Sequence, residues 1–424
     1  MITSYSTSLP NGLKLICNPM DNTNKLNITF VFHVGHYTDT KPGMAHLAEH
    51  MVFRGTDTIS AKEIASNLYN LTGNSYTAYT AYGETVFSFD INQDKFADAV
   101  KVLVEMFTKS TCANFDVEKQ IVGHELALRF DVPGINLLNI TQKKSYQVED
   151  SDKLHKDTLP LITQKDLSDF IKTNYVPNNC TLYVSGQIDS TRILEISIDE
   201  FTKDWQGSSN FKQPILPTLK YTSGLTAEKA PTKSAYCAVT FEGAKSSDVK
   251  DFIAQYIINC IIGDGLNSTI MVNTRIEKGL TYSVGNFNIV EPNHGLWGYI
   301  SATDKASITD LLKQMMTSVK AIAPAITNDN VACARIALKD SLNKPIYTPV
   351  QATTNAMFYN DLGISKEEFV EMIDTTSTAE VKSYHNRMIG SKPCIALYGD
   401  VDDNYTEKDI MDMWESISVA TAAV

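Results

Sequence analysis

Long apolar runs are missing from this chain. No stretch of its 424 residues approaches the roughly 18 to 20 consecutive apolar positions that a membrane-spanning helix requires. The opening residues, MITSYSTSLPNGLKLIC, have neither a basic start followed by an apolar core nor an Arg-rich amphipathic pattern. No export or organelle address is therefore expected in the sequence as it stands, and the expected location is cytoplasmic, or an organelle matrix in a eukaryote. Positive charge is also in short supply: 37 Lys and Arg face 49 Asp and Glu, a net charge of −12. That balance argues against nucleic acid as a partner. Two readings of it remain open, an ordinary acidic surface or carboxylates lining a cavity that favours basic peptides. Cysteine is sparse. The seven (Cys17, Cys112, Cys180, Cys237, Cys260, Cys333 and Cys394) are odd in number and never spaced C-x-x-C, which excludes a disulfide framework and a cysteine zinc site. Reduced, mostly buried thiols are expected.

What remains is an ordinary globular balance, with 43% hydrophobic and 20% charged residues. The length suits two domains of roughly 200 residues each. Residues 205–222, WQGSSNFKQPILPTLKYT, are rich in turn formers and read as a linker between domains at 1–204 and 223–424. The two halves resemble each other. One ends in CTLYVSGQID from Cys180 and the other in CIALYGDVD from Cys394, each after a helical pattern (DLSDFIKTNYV and AEVKSYHNRMI). The expectation is a duplicated α+β domain. Within the first half, LNITFVFHVG predicts a buried strand, and a helix is predicted from about Met44 to Phe53. Ser60 and Glu63 form a capping box for another helix ending near Leu71. NSYTAYTAYGETVFSFDI predicts two strands. Helices then follow from Lys95 to Thr108 and from an N-cap at Asp116 to about Phe130.

The chemistry is carried by His46-Leu47-Ala48-Glu49-His50. On a helix, positions i and i+4 share a face, so both imidazoles can reach a single metal ion. Glu49 points to nearly the same side without having to be a ligand, and can accept a proton from water at the metal. This order reverses H-E-x-x-H and has the inverzincin form. A catalytic zinc needs a third protein ligand and one open position. The helix predicted from Asp116 carries Glu118 and Glu125 seven residues apart, two turns, so both carboxylates face one way. One can bind the metal while the other holds a ligand from behind, and Glu125 is the candidate ligand. His124 lies about 100° around that helix and is not expected to bind. His33, His36, His155, His294 and His385 are read as packing or surface residues. The run Tyr76, Tyr79, Tyr82 is read as strand and cavity wall.

His46 to His50, with Glu125 seventy-five residues beyond the second histidine and Glu118 seven before that, resembles the pitrilysin, insulysin and mitochondrial processing peptidase family, M16. The flanks GMAHLAEHMVFRGT and YVPNNCTLYVSGQID are similar to the family's motifs, and NTRIEKGLTYSV resembles its C-terminal signature. The resemblance implies a zinc metalloendopeptidase with one Zn2+ per chain, held by His46, His50 and Glu125, with Glu49 as base and Glu118 behind the ligands. It also implies that Arg275 and Tyr282 contact substrate. An extended peptide would pair with the strand carrying Thr77, Ala78 and Tyr79, where the family usually has Asn-Ala-Tyr/Phe-Thr and this chain has Thr77-Ala78-Tyr79-Thr80. The fold implied is two related domains, each a mostly antiparallel sheet with helices on one face, together forming half of a clamshell.

Single-chain members of the family are about twice as long, so the resemblance implies a dimer. A homodimer in which each site takes Arg275 and Tyr282 from the partner is the simplest form, and a heterodimer with a related subunit is the other. The long glycine-rich loop of the non-catalytic mitochondrial subunit is absent. GDGLNS, from Gly263, is read as a turn. Two rival functions are a structural or assembly subunit of the same family, like the core proteins of a respiratory complex, and a peptide-binding chamber that would not need Glu49.

Overall fold

The structure is a computed structural model that describes residues 4–418, apart from 22, 188–189, 209–210, 212–214, 264, 266–267 and 403. Part of the linker, half of the GDGLNS segment and the Ile-Asp close of the first repeat therefore lie outside the described residues. In the first sheet are β1 (Tyr5–Ser8), β2 (Lys14–Pro19), β3 (Lys25–Phe32), β4 (Tyr76–Thr80), β5 (Thr85–Asn92) and β6 (Cys180–Gly186). They run in the order β1-β2-β6-β3-β5-β4. β2 pairs with β6 in parallel and every other pairing is antiparallel. The predicted buried strand is β3, central in the sheet. Its alternation sends Leu26, Ile28, Phe30 and Phe32 into the main core, while Val31 points to the opposite face. Each such buried side chain contributes on the order of 2 kcal/mol.

Helices α1 (Met44–Met51), α2 (Ala61–Thr72), α3 (Phe96–Thr108) and α4 (Phe115–Phe130) follow the predicted spans closely. The capping box at α2 is present in both directions, with Ser60 N–H donating to Glu63 at 2.9 Å and Glu63 N–H to Ser60 Oγ at 3.3 Å. α4 begins one residue before the expected N-cap. Asn114 takes a left-handed φ of 55°, and Asp116 falls inside the first turn. Next come α5 (Pro133–Tyr146), α6 (Ser151–Thr158) and α7 (Gln164–Asn174).

The second sheet holds β7 (Gly224–Lys229), β8 (Ala235–Glu242), β9 (Val284–Val290), β10 (Gly295–Thr303) and β11 (Cys394–Gly399), in the order β7-β11-β8-β10-β9. Among the described residues β11 pairs with β7 in parallel and the other pairings of this sheet are antiparallel. With β1 set aside, both sheets read first-fifth-second-fourth-third in their own chain order. The duplication expected from CTLYVSG and CIALYG is therefore borne out by topology, with β6 and β11 in the same place.

Two compact units result, neither continuous in sequence. One comprises residues 1–127, 151–216 and 345–358, and the other 128–150, 217–344 and 359–424. The contiguous halves 1–204 and 223–424 are thus not the units found, and Trp205, the first linker residue, is buried in the first core. The reason is the second face of each sheet. Ile16, Val31, Val86 and Tyr183 form an apolar strip that Ala356 and Met357, from the helix Pro349–Leu362, cover. Likewise Leu137 and Ile140 of α5 pack on Ala238, Ala396 and Tyr398 of the second sheet. Each exposed strip would otherwise meet water, and each is closed by a helix from the other half of the sequence. All seven cysteines are free. No helix among the described residues is long and apolar enough to cross a membrane.

Candidate metal centre

α1 carries most of the site. Its N-cap is Gly43, in the left-handed region at φ 88°. A side chain there would be strained, and its Cβ would collide with the ring of His155. Asp39 supplies the cap that glycine cannot, accepting from the N–H groups of Gly43 at 2.7 Å and Ala45 at 2.8 Å. Burial pushes the Asp39 carboxyl up to about 7 against these backbone hydrogen bonds. On the inner face, Met44, Ala45, Leu47, Ala48 and Met51 are buried in the core, which holds the helix in place. His46 and His50 project from it one turn apart, their ring centroids separated by 4.8 Å.

The structure brings His46, His50 and Glu125 together. Glu125 Oε1 lies 3.5 Å from His46 Nε2, and its Oε2 lies 3.5 Å from His50 Nε2. One donor atom from each residue falls within 4.8 Å of the others. Donors about 2.0–2.1 Å from a shared tetrahedral ion stand roughly 3.4 Å apart, so this set of two imidazoles and a carboxylate fits zinc. His124, by contrast, is exposed on α4 and outside the cluster.

Behind the candidate ligands, Glu118 Oε1 accepts from His50 Nδ1 at 2.8 Å and its other oxygen pairs with Arg54. The Glu118 side chain is only 2% exposed. Burial alone would raise its pKa, but the His50 hydrogen bond and the Arg54 guanidinium outweigh it and hold the carboxyl below the usual range. An anion fixed at Nδ1 leaves Nε2 as the atom that faces a metal. For His50 itself, burial works against the charged ring. Hydrogen bonds to Glu118 and Glu125 prevail and push it up to about 9. His46 moves the other way, well below the ordinary histidine range, through burial and then the charge of His50. A cation at the two Nε2 atoms would take the place of the proton that the carboxylates otherwise attract.

Glu49 is buried on the same helix and accepts a 2.7 Å hydrogen bond from Thr80 Oγ1 at the end of β4. Its pKa is raised, chiefly by burial. Thr80 and His50 oppose that shift and Glu125 adds to it. A carboxylate with a raised pKa is a stronger base when ionised.

Comparison with known proteins accords with this geometry. Residues 16–128 match the family model described as insulinase, peptidase family M16, and residues 161–338 match that described as the peptidase M16 inactive domain. The chain belongs to peptidase family M16. Among M16 relatives, an uncharacterised zinc protease of Rickettsia felis is 24% identical over 407 residues, covering 93% of this chain and 97% of that one. The mitochondrial-processing peptidase subunit beta of Rattus norvegicus is 23% identical over 417 residues, 93% of this chain and 84% of its own. In fold, the chain is similar to a protease from Helicobacter pylori (TM-score 0.81, 16% identity, 94% of this chain and 100% of that one). It is also similar to a chain of Complex III2 from Candida albicans (TM-score 0.79, 16% identity, 97% and 99%).

The remaining residues singled out in the sequence fall on two elements. Thr77, Ala78 and Tyr79 lie on β4, which pairs with β5 and stands last in the sheet order among the described residues. Arg275 sits in a π-helical turn, Val272–Ile276, of the other unit. Its guanidinium carbon lies 4.7 Å from the ring centroid of Tyr282, a residue 81% exposed. Sequence reasoning missed Asp39, Gly43, Arg54 and the Thr80 contact. Only Gly43 left a signal, as a glycine just ahead of a helix. His155, read from the sequence as a packing or surface residue, has its ring 5.2 Å from that of His46.

Proposed function

We propose that this M16 chain is a zinc-dependent endopeptidase that cleaves peptides or unfolded segments held as an extended strand. His46, His50 and Glu125 would hold the metal, and Glu49 would act as general base. The observation that carries this reading is the convergence of the three donors beside a buried carboxylate of the same helix. The chemistry that zinc supplies when bound at these residues is Lewis acidity toward an oxygen atom. Glu49 takes a proton on its carboxylate from the attacking water, with Thr80 fixing one of its oxygens, and then hands that proton to the leaving amine. The edge position of β4 in its sheet supports binding of a peptide as an added strand, through backbone hydrogen bonds that demand little of its sequence.

The exposed Tyr282, stacked on Arg275, fits a pair that meets substrate or a partner rather than its own core. In this reading two copies assemble, and each site draws Arg275 and Tyr282 from the other copy as donors toward the developing oxyanion. The similarity in fold to a chain of Complex III2 favours a second reading, a structural subunit without turnover. Incubating a peptide library with wild type beside Glu49→Gln, and sequencing product N-termini, separates the two. New N-termini with wild type alone support the peptidase. None with either protein, both carrying zinc, supports the structural subunit.

A further inference from the structure

α6, SDKLHKDT, buries the wrong residues for a structural helix. Leu154 is 36% exposed, while Asp152 and His155, three apart and so on one face, are 6% and 5% exposed. A short helix that turns out its one leucine and turns in an aspartate and a histidine breaks the amphipathic rule, and such breaks gather at functional sites. The buried face meets the start of α1. The His155 ring covers Gly43 so closely that no Cβ fits between them. It also stands edge-to-face with His46, ring centroids 5.2 Å apart and planes at 81°.

The two histidine ligands are therefore held differently. His50 has a carboxylate on Nδ1, the usual device for orienting a ligand ring. His46 has no hydrogen-bonded carboxylate on its second nitrogen among the described residues, and the ring packed against it from outside the ligand set is His155. We propose that His155 is a positioning residue for His46, an aromatic stop that fixes the ring's rotation so that Nε2 faces the metal. Glycine at position 43 is the condition for it, because only a residue without a side chain lets the His155 ring reach across the first turn of α1. The inference rests on the metal-binding part of the function proposed above and not on turnover.

The test reads metal binding directly. Cobalt(II), added to metal-free protein, reports ligand geometry through its visible absorption, and competition against a chelating dye gives the zinc Kd. His155→Ala is expected to weaken zinc binding roughly 10- to 100-fold, as loss of a residue supporting a ligand does, and to alter the cobalt bands. His155→Phe, which keeps a ring in the seat, is expected to stay within about threefold of wild type and to restore the bands. His155→Leu fills the space without an aromatic edge and replaces the alanine variant if that one does not fold; it is expected to bind weakly. Wild-type zinc affinity and an unchanged cobalt spectrum in a folded His155→Ala or His155→Leu would overturn the assignment. So would a folded His155→Phe that binds as weakly as they do. Tight zinc binding by wild type without peptide cleavage would instead defeat the peptidase reading and leave this one standing.

Discussion

At the scale of single residues the proposed function separates metal binding from proton transfer. If Glu49 is the base and no ligand, as proposed, Glu49→Gln should leave zinc content near one per chain while turnover falls about 10²- to 10⁴-fold. Metal analysis beside a peptide assay checks both halves of that statement. Glu118→Ala is expected to do the reverse, weakening zinc about 10- to 100-fold by freeing the His50 ring, with the lost rate recovered at high zinc. A pH effect belongs here too. Burial, aided by the Lys245 charge, holds His294 down to about 4, and burial also lowers His385. Unfolded, each would titrate near its ordinary 6.5. Between 6.5 and about 4 these two histidines therefore bind more protons in the unfolded chain than in the folded one, and their contribution to stability is lost as pH falls through that window. His294→Gln should flatten this acid limb, which urea midpoints measured from pH 7 to pH 4 would record.

At the scale of elements, α1 was legible because helix period and ligand spacing coincide. His46 and His50 one turn apart, Glu118 and Glu125 two turns apart, and the Ser60–Glu63 box all follow from local geometry. Long-range contacts were not legible. Nothing local shows that Asp39 caps α1 or that Arg54 pairs with Glu118. A search for apolar periodicity passes over α6, since its buried positions are polar. The residues that hold α1 in place nonetheless make testable claims. Gly43→Ala forces a left-handed φ on a side chain and drives it into His155, which should cost on the order of 2 kcal/mol. Asp39→Ala, leaving two N–H groups uncapped, should cost about 1 kcal/mol. Chemical denaturation of the two variants would show the glycine change as the larger.

For the whole molecule, repeat endings in the sequence were enough to anticipate two related sheets, and the shared strand order bears that out. The helices exchanged between halves were not anticipated. α5 and the helix Pro349–Leu362 each look like part of the half they come from, and only the uncovered sheet faces decide where they pack. Assembly can be tested by complementation. If Arg275 serves the partner's site, mixing Glu49→Gln with Arg275→Ala should restore about a quarter of wild-type sites, because half of the dimers are mixed and each has one intact site. The most direct test of the central claim is hydrolysis of a quenched peptide by chelator-treated protein titrated with zinc. The account predicts no cleavage before addition and recovery that saturates at one zinc per chain, with Glu49→Gln binding the same zinc and staying inactive. Cleavage that survives the chelator, or wild-type turnover by Glu49→Gln, would contradict it.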